Sequence, residues 1–283
     1  MGRILNESEF LNEAISKSRK WVAGRTREEA LEAVSELNRG GIIATVSFLG
    51  EDLKDLPRIQ SHLSEYRSLI QSISASNLKA NISVKPSTMG ISLRPSLFLQ
   101  NLEHLLKDLS KSASIELVVD SEGQSLVSSA YDEAVKLLRL GYEFRVTVAC
   151  RFYPVIKAKL EEIVDSGGRI RITRGAYEGG AGLPFVNFIE DILELQRRTR
   201  DPILATNSVR VINSLEEHGV LEGFSGFETL LGKHVELERY LKSRRLRTLR
   251  YIPYGDSWID YCARREKWFS ENAGELKSIL LRR

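Results

Sequence analysis

Near the end of the chain, the run Trp258-Ile259-Asp260-Tyr261-Cys262-Ala263-Arg264-Arg265 has helical periodicity. Within it, Tyr261, Arg264 and Arg265 sit at i, i+3 and i+4 and therefore share a face. Two adjacent guanidiniums with a tyrosine one turn earlier make a planar donor array suited to a carboxylate. The same spacing also describes a solvated arginine pair on an exposed helix. Position favours the carboxylate clamp, because the helix follows the short strand Tyr251-Ile252-Pro253 and the turn Tyr254-Gly255. That strand and turn read as the C-terminal mouth of a barrel.

Other residues at strand ends carry compatible chemistry. Lys85 closes the apolar run before Pro86-Ser87, where it either binds an anion in a barrel mouth or pairs with a neighbouring acid. Asp120 terminates Leu117-Val118-Val119, with Glu122 two residues on. It either caps the next helix or joins Lys85 and the arginines in an ion network that fixes their rotamers. In Arg171-Ile172-Thr173-Arg174-Gly175-Ala176-Tyr177, alternation puts Arg171 and Thr173 on one face, and Gly175 permits close backbone approach to a flat ligand. An inward arginine on a strand requires a neutralising partner. Gly179-Gly180-Ala181-Gly182 reads as a flexible loop before it reads as a phosphate cradle. His62, His104, His218 and His234 fall in helical stretches, and no Cys/His spacing supports a metal site.

These groups must be positioned by the elements between them. Strand-like runs occur at Ile42–Val46, Asn81–Val84, Ile115–Val119, Phe144–Val148, Arg169–Thr173, Ile203–Ala205, Glu222–Ser225 and Leu249–Ile252. Helical periodicity fills the gaps, clearest in Leu97–Leu109, Ser125–Leu140, Pro154–Val164, Phe188–Arg198 and Trp258–Leu281. Eight strand-helix units in this length predict an α/β fold, a (β/α)8 TIM-type barrel over 41–283, with residues 1–40 a helical extension packed on it. A doubly wound sheet is disfavoured by the missing Gly-rich fingerprint.

Composition narrows the classes further. Of 283 residues, 41 are basic and 38 acidic, giving a net charge of +3 and no global nucleic-acid footprint. The basic excess at Arg244, Arg245, Arg247, Arg250 and Arg282-Arg283 reads as a solvated edge, or as a weaker contact with an anionic membrane. Cys150 and Cys262 do not suggest a disulfide framework and fit a reducing compartment. Polar Asn6-Glu7-Ser8-Glu9 interrupts any signal-peptide core. A cytoplasmic protein is expected, touching the inner face of a membrane at most peripherally.

Taken in order, the strand ends resemble the proline dehydrogenase family of flavoenzymes. The resemblance rests on Leu49-Gly50-Glu51, Ser83-Val84-Lys85-Pro86-Ser87, Asp120-Ser121-Glu122, Arg171 through Tyr177, Ala205-Thr206, Phe227-Glu228-Thr229-Leu230-Leu231-Gly232, Tyr-x-Pro-Tyr-Gly and Tyr-x-x-Arg-Arg. It implies a distorted (β/α)8 barrel that binds FAD and oxidises L-proline to Δ1-pyrroline-5-carboxylate. It further implies that Lys85, Arg264 and Arg265 grip the substrate carboxylate, that Tyr251 and Tyr261 close over the ring, and that Asp120 holds the cationic cluster. Arg171 would sit beside the reactive flavin edge, with Thr173, Arg174, Gly175, Ala176, Thr206 and Asn207 around the cofactor and no metal. A membrane quinone is the acceptor the family commonly uses.

The chain departs from the family pattern mainly on the cofactor side. Ala149 stands where a glutamine is common, Asn207-Ser208 replaces a His-Asn pair, and no Thr-Lys element is evident around Val186-Asn187. Arg174 stands in for a lysine, Glu178 replaces an aromatic, and the expected Glu-Asn arrives late at Glu271-Asn272. The leading expectation is therefore a divergent FAD-dependent proline dehydrogenase. The alternatives are a flavoenzyme for another cyclic amino acid, one using FMN, or a flavin-free homologue that binds a small carboxylate or serves as a partner subunit.

Overall fold

Eight short strands pair in parallel in sequence order and close through β1 and β8. They are β1 (Ile43–Phe48), β2 (Ala80–Val84), β3 (Leu117–Val119), β4 (Arg145–Ala149), β5 (Arg169–Thr173), β6 (Ile203–Ala205), β7 (Gly226–Leu230) and β8 (Thr248–Tyr254). In this computed structural model residues 6–110, 115–175, 183–232 and 235–282 are described. The closed eight-stranded barrel is the architecture expected from the alternation.

Outward side chains such as Val46, Ile82, Val146, Ile172 and Ile252 are apolar and buried in one continuous core beneath the helices. Burying apolar surface on both faces is what makes parallel strands read as short β-branched runs. The helices follow successive strands: α3 (Leu56–Ala75), α4 (Pro95–Leu109), α5 (Gln124–Arg139), α6 (Tyr153–Asp165), α7 (Phe185–Arg198), α8 (Val209–Glu217) and α9 (Val235–Ser243). Among the described residues, no helix is long and apolar enough to cross a membrane.

Two helices precede the barrel, α1 (Glu7–Ser18) and α2 (Arg27–Arg39). Each starts on a capping box, Asn6 with Glu9 and Thr26 with Glu29, which satisfies the first free amides of the helix. α1 packs against the C-terminal helices α10 (Trp258–Ala263) and α11 (Lys267–Leu281) in a second apolar cluster holding Leu11, Trp21, Trp258, Phe269 and Leu276. Arg25 adds an ion pair to Asp256 at 2.8 Å. The N-terminal segment thereby braces the short helix that carries Tyr261.

Two elements differ from the sequence expectation. The seventh strand is not Glu222–Ser225, where Leu221–Gly223 forms a 3-10 turn, but Gly226–Leu230. Glu228 and Thr229 break the apolar pattern there, and both are buried with partners: Arg171, 57 positions earlier, for Glu228, and Glu238 of the next helix for Thr229. The final helix is also not continuous. It stops at Ala263 and restarts at Lys267, with Glu266 in extended backbone at φ −144° and its carboxylate accepting from Trp21 Nε1 at 2.8 Å. Tyr261, Arg264 and Arg265 therefore sit at the end of a six-residue helix rather than on the face of a long one.

Before that helix, β8 runs through Pro253 and Tyr254, beyond its last pairing with β7 at Leu230↔Tyr251. Proline's missing amide therefore leaves no ladder bond open on that side, and Ala23 N donates to the Pro253 carbonyl at 2.8 Å. The chain then turns at Gly255, with φ +121°, where a Cβ would lie 2.7 Å from the Phe48 ring. Only glycine meets both conditions.

Candidate active site

The C-terminal ends of the strands enclose a cavity of about 460 Å³, within the range of small-ligand sites. Strand alternation aims Lys85, Thr147, Arg171, Thr173, Glu228 and Tyr251 into it. α10 contributes Tyr261, Arg264 and Arg265 from above.

One side of the cavity is a carboxylate clamp. Lys85 is 4% exposed, and its Nζ lies 2.9 Å from Glu51 Oε1. The same oxygen accepts from Arg264 Nη2 at 2.6 Å. Lys85, from the end of β2, and Arg264, from the end of α10, are thus spaced to hold one carboxylate between them, and Glu51 demonstrates it. Arg265 stacks 3.4 Å over the Tyr261 ring and donates to the Tyr261 carbonyl at 2.8 Å. The Tyr261 hydroxyl is buried and has no protein partner among the described residues. Burial holds its pKa above the ordinary phenol range, against the lowering charge of Arg265, so it is a neutral donor.

Asp120 plays a different part from the one expected. It does not pair with Lys85 or the α10 arginines. It accepts from Arg171 Nη2, from Ser83 Oγ at 2.5 Å and from Tyr251 Oη at 3.0 Å. Strand order explains this: alternation aims Arg171 across the barrel interior at Asp120, while Lys85 rises to the rim and meets Glu51. Asp120 fixes the Tyr251 ring, and Arg171 lies 5.6 Å from that ring's centroid.

Arg171 is held from three directions. Besides Asp120, its Nη1 donates to Glu228 Oε2 at 2.9 Å and its Nε to Thr147 Oγ1 at 3.0 Å. Burial opposes the charge, but the carboxylates of Glu228 and Asp120 outweigh it and raise the guanidinium above its ordinary value. The inward arginine does have its neutralising partners.

The opposite wall gathers Thr173, Gly175, Thr206 and Asn207 around the small side chains of Ala149 and Ala205. Gly175 has φ +94°, and a Cβ there would meet the Arg151 side chain at 2.7 Å, so its own packing already requires glycine. Asn207 Oδ1 accepts from Leu230 N at 2.9 Å, and Ser208 caps α8 through Val211 N at 3.4 Å. The Asn-Ser pair that departs from the family pattern thus performs local structural work. Arg174 is not brought into the cavity: it donates to the Leu183 carbonyl at 2.8 Å and lies 6.0 Å from the Phe188 ring. Ala176 and the Gly179–Gly182 run lie outside the described residues.

Sequence reasoning left Glu51 and Glu228 out of the site. Glu51 follows the end of β1 by three residues, a signal that was readable. Glu228 was visible as a strand-end acid but not as a buried one, since only its pairing with Arg171 makes burial affordable.

Behind the rim, His62 of α3 packs 4.6 Å from the Phe48 ring, so one histidine does approach a strand end. Burial, reinforced by the charges of Arg58 and Lys85, pushes its pKa down to about 4. Folding therefore favours neutral His62, and its contribution is present above about pH 6.5 and is lost as pH falls toward 4. Replacing His62 with leucine reduces the stability loss between pH 7 and pH 4.5 by about 2–3 kcal/mol. Urea denaturation at the two pH values checks this, and an unchanged difference contradicts it.

No protein-family profile matches the chain. Proline dehydrogenase 1 of Bacillus subtilis (strain 168) is 26% identical over 278 residues, spanning 93% of this chain and 90% of the relative. Proline dehydrogenase 2 of the same organism is 22% identical over 281 residues, spanning 92% of this chain and 91% of the relative. Over nearly its whole length the chain is similar to proline dehydrogenases. The proline dehydrogenase of Deinococcus radiodurans is 23% identical over 261 residues, with 87% and 84% coverage of this chain and the relative. Among solved structures, proline utilization A from Bdellovibrio bacteriovorus, inactivated by N-propargylglycine, superposes with a TM-score of 0.76 at 16% identity. That likeness, which supports the barrel fold, covers 94% of this chain and 34% of the larger protein. This similarity to proline dehydrogenases agrees with the order of the strand-end residues.

Proposed function

We propose that the chain oxidises L-proline to Δ1-pyrroline-5-carboxylate with FAD as hydride acceptor. The observation that carries this reading is the convergence of Lys85, Arg264 and Arg265 on one side of a cavity whose other side is walled by small and hydrogen-bonding residues. The Glu51 carboxylate between Lys85 and Arg264 supports a substrate carboxylate bound by the same pair.

The residues present fit a flat heteroaromatic ring. Ala149, Ala205 and Gly175 leave width, while Thr173, Thr206 and Asn207 supply hydrogen-bonding groups on the same wall. The buried, unpartnered Tyr261 hydroxyl faces a site that has a bond left to give. A flavin bound there supplies the two-electron acceptor for a hydride.

The chain's own work is positioning. Lys85 and the α10 arginines bind the carboxylate and thereby orient the ring carbon that loses hydride, while the ring nitrogen releases its proton as the carbon-nitrogen double bond forms. Tyr251, locked by Asp120, and Tyr261, locked by Arg265, cover the ring and exclude water. Holding two reactants in register accounts for a large part of such a rate enhancement. The α1 helix packed on α10 and α11 supports reading residues 1–40 as an extension that braces this clamp. The proposal includes a quinone as the onward acceptor and a cytoplasmic enzyme with at most peripheral membrane contact, supported by the exposed basic residues Arg244, Arg245 and Arg247.

The test is the visible spectrum of purified protein before and after addition of FAD, of FMN and of L-proline without oxygen. A yellow protein bleached by L-proline is expected. Colourless protein that takes up neither flavin contradicts the reading, and yellow protein indifferent to proline shifts the substrate to another cyclic amino acid.

A further inference from the structure

The cavity is electrically lopsided. On its clamp side three cations, Lys85, Arg264 and Arg265, face one carboxylate, Glu51. Deeper in, one cation, Arg171, faces two carboxylates, Asp120 and Glu228. Asp120 has other duties, accepting from Ser83 and from the Tyr251 hydroxyl that it orients. Among the described residues the Glu228 carboxylate bonds only Arg171.

Arg171 does not need Glu228 in order to be neutralised or aimed. Asp120 supplies a full counter-charge, and Thr147 Oγ1 takes the Nε proton at 3.0 Å. Glu228 is 4% exposed and lines the cavity alongside Thr206 and Asn207. Its charge is therefore a surplus negative charge, held in low dielectric, on the side away from the clamp. A charge in such a place acts on whatever gains or loses charge beside it, with little screening by water.

We propose that Glu228 sets the redox poise of the bound cofactor, lowering its reduction potential. The inference rests on the flavin reading given above. Reduction adds electrons to the ring system, and a buried carboxylate on the same wall disfavours the added negative charge. Arg171 alone would favour it. Asp120 already balances Arg171, so Glu228 leaves the cluster net negative, and the site gains less driving force when electrons arrive from substrate and more when they pass onward. Glu228 is in this sense a tuning residue, acting through charge rather than through contact with the substrate.

The experiment is the midpoint potential of the flavin-loaded protein, measured by reductive titration against a reference dye, for wild type, Glu228→Gln and Glu228→Asp. Glutamine keeps an oxygen acceptor for Arg171 and removes the charge, whereas aspartate keeps the charge. A positive shift in Glu228→Gln, with little shift in Glu228→Asp, is expected. Glu228→Met is a second charge-free variant should the glutamine protein fold poorly, and it shifts in the same direction. A Glu228→Gln protein that holds flavin at the wild-type potential overturns the inference and leaves the flavin reading intact. Wild-type protein that takes up no flavin overturns the reading on which the inference rests, and this is seen before any variant is compared.

Discussion

Replacing Arg171 with methionine lowers the stability of the protein by about 3–5 kcal/mol, the cost of breaking a buried ion pair from one side. The guanidinium is the shared partner of two carboxylates buried in the barrel, Asp120 and Glu228. Without it, both lose their compensating charge, and Thr147 loses a donor as well. The triple replacement of Arg171 with methionine, Asp120 with asparagine and Glu228 with glutamine recovers much of the loss, because no uncompensated charge remains. Urea denaturation of the single and triple variants measures both quantities. A loss below about 1 kcal/mol in the single variant, the range of exposed pairs, would mean that water reaches the carboxylates and that the cluster is not closed.

Lys85→Met weakens proline binding by about 2–5 kcal/mol, roughly a 30-fold to several-thousand-fold rise in dissociation constant. On burial, the proposed clamp rests more on this residue than on Arg264. Lys85 is 4% exposed, so its charge acts with little screening. The Arg264 side chain is 47% exposed, and Arg264→Ala costs no more than about 1 kcal/mol on its own, as expected for a screened pair. Folding survives the Lys85 change, because Glu51 is at the rim and keeps Arg264 as a partner. Equilibrium binding of L-proline, followed through the flavin spectrum of the oxidised protein without turnover or through calorimetry with a non-oxidisable analogue, separates the two variants. Equal effects of Lys85 and Arg264 would contradict the burial argument.

Much of this site could be read from the chain before any coordinates, and the reasons are particular. Lys85, Tyr251, Tyr261, Arg264 and Arg265 stand at the ends of elements whose period is plain, so a barrel topology brings them together. Seven of the eight strands overlap the runs expected for them. The seventh did not, because Glu228 and Thr229 look like surface residues until their partners Arg171 and Glu238 are known. The neutralisation of Glu228 by Arg171, 57 positions away, leaves no local trace. The break after Ala263 was equally hidden, since it depends on Glu266 meeting Trp21, 245 positions earlier in the chain.

The partner of Asp120 was misassigned for a related reason. Spacing along the chain sets which face a side chain takes, but the depth at which two inward side chains meet is set by the relative registers of strands that are not neighbours. Arg171 reaches Asp120 because β3 and β5 flank β4 with Thr147 opposite Arg171. The wall proposed for the cofactor was the least legible part. Asn207 and Ser208 turn out to serve Leu230 and α8, and Arg174 turns away toward Leu183.

The central claim, that this clamp delivers proline for oxidation, is tested most directly by mixing flavin-loaded protein with L-proline in the absence of oxygen and trapping the product with o-aminobenzaldehyde. The expected result is that the flavin absorbance bleaches and that trapped Δ1-pyrroline-5-carboxylate matches the flavin reduced, mole for mole. Flavin that stays oxidised, with no trapped product at saturating L-proline, would contradict it.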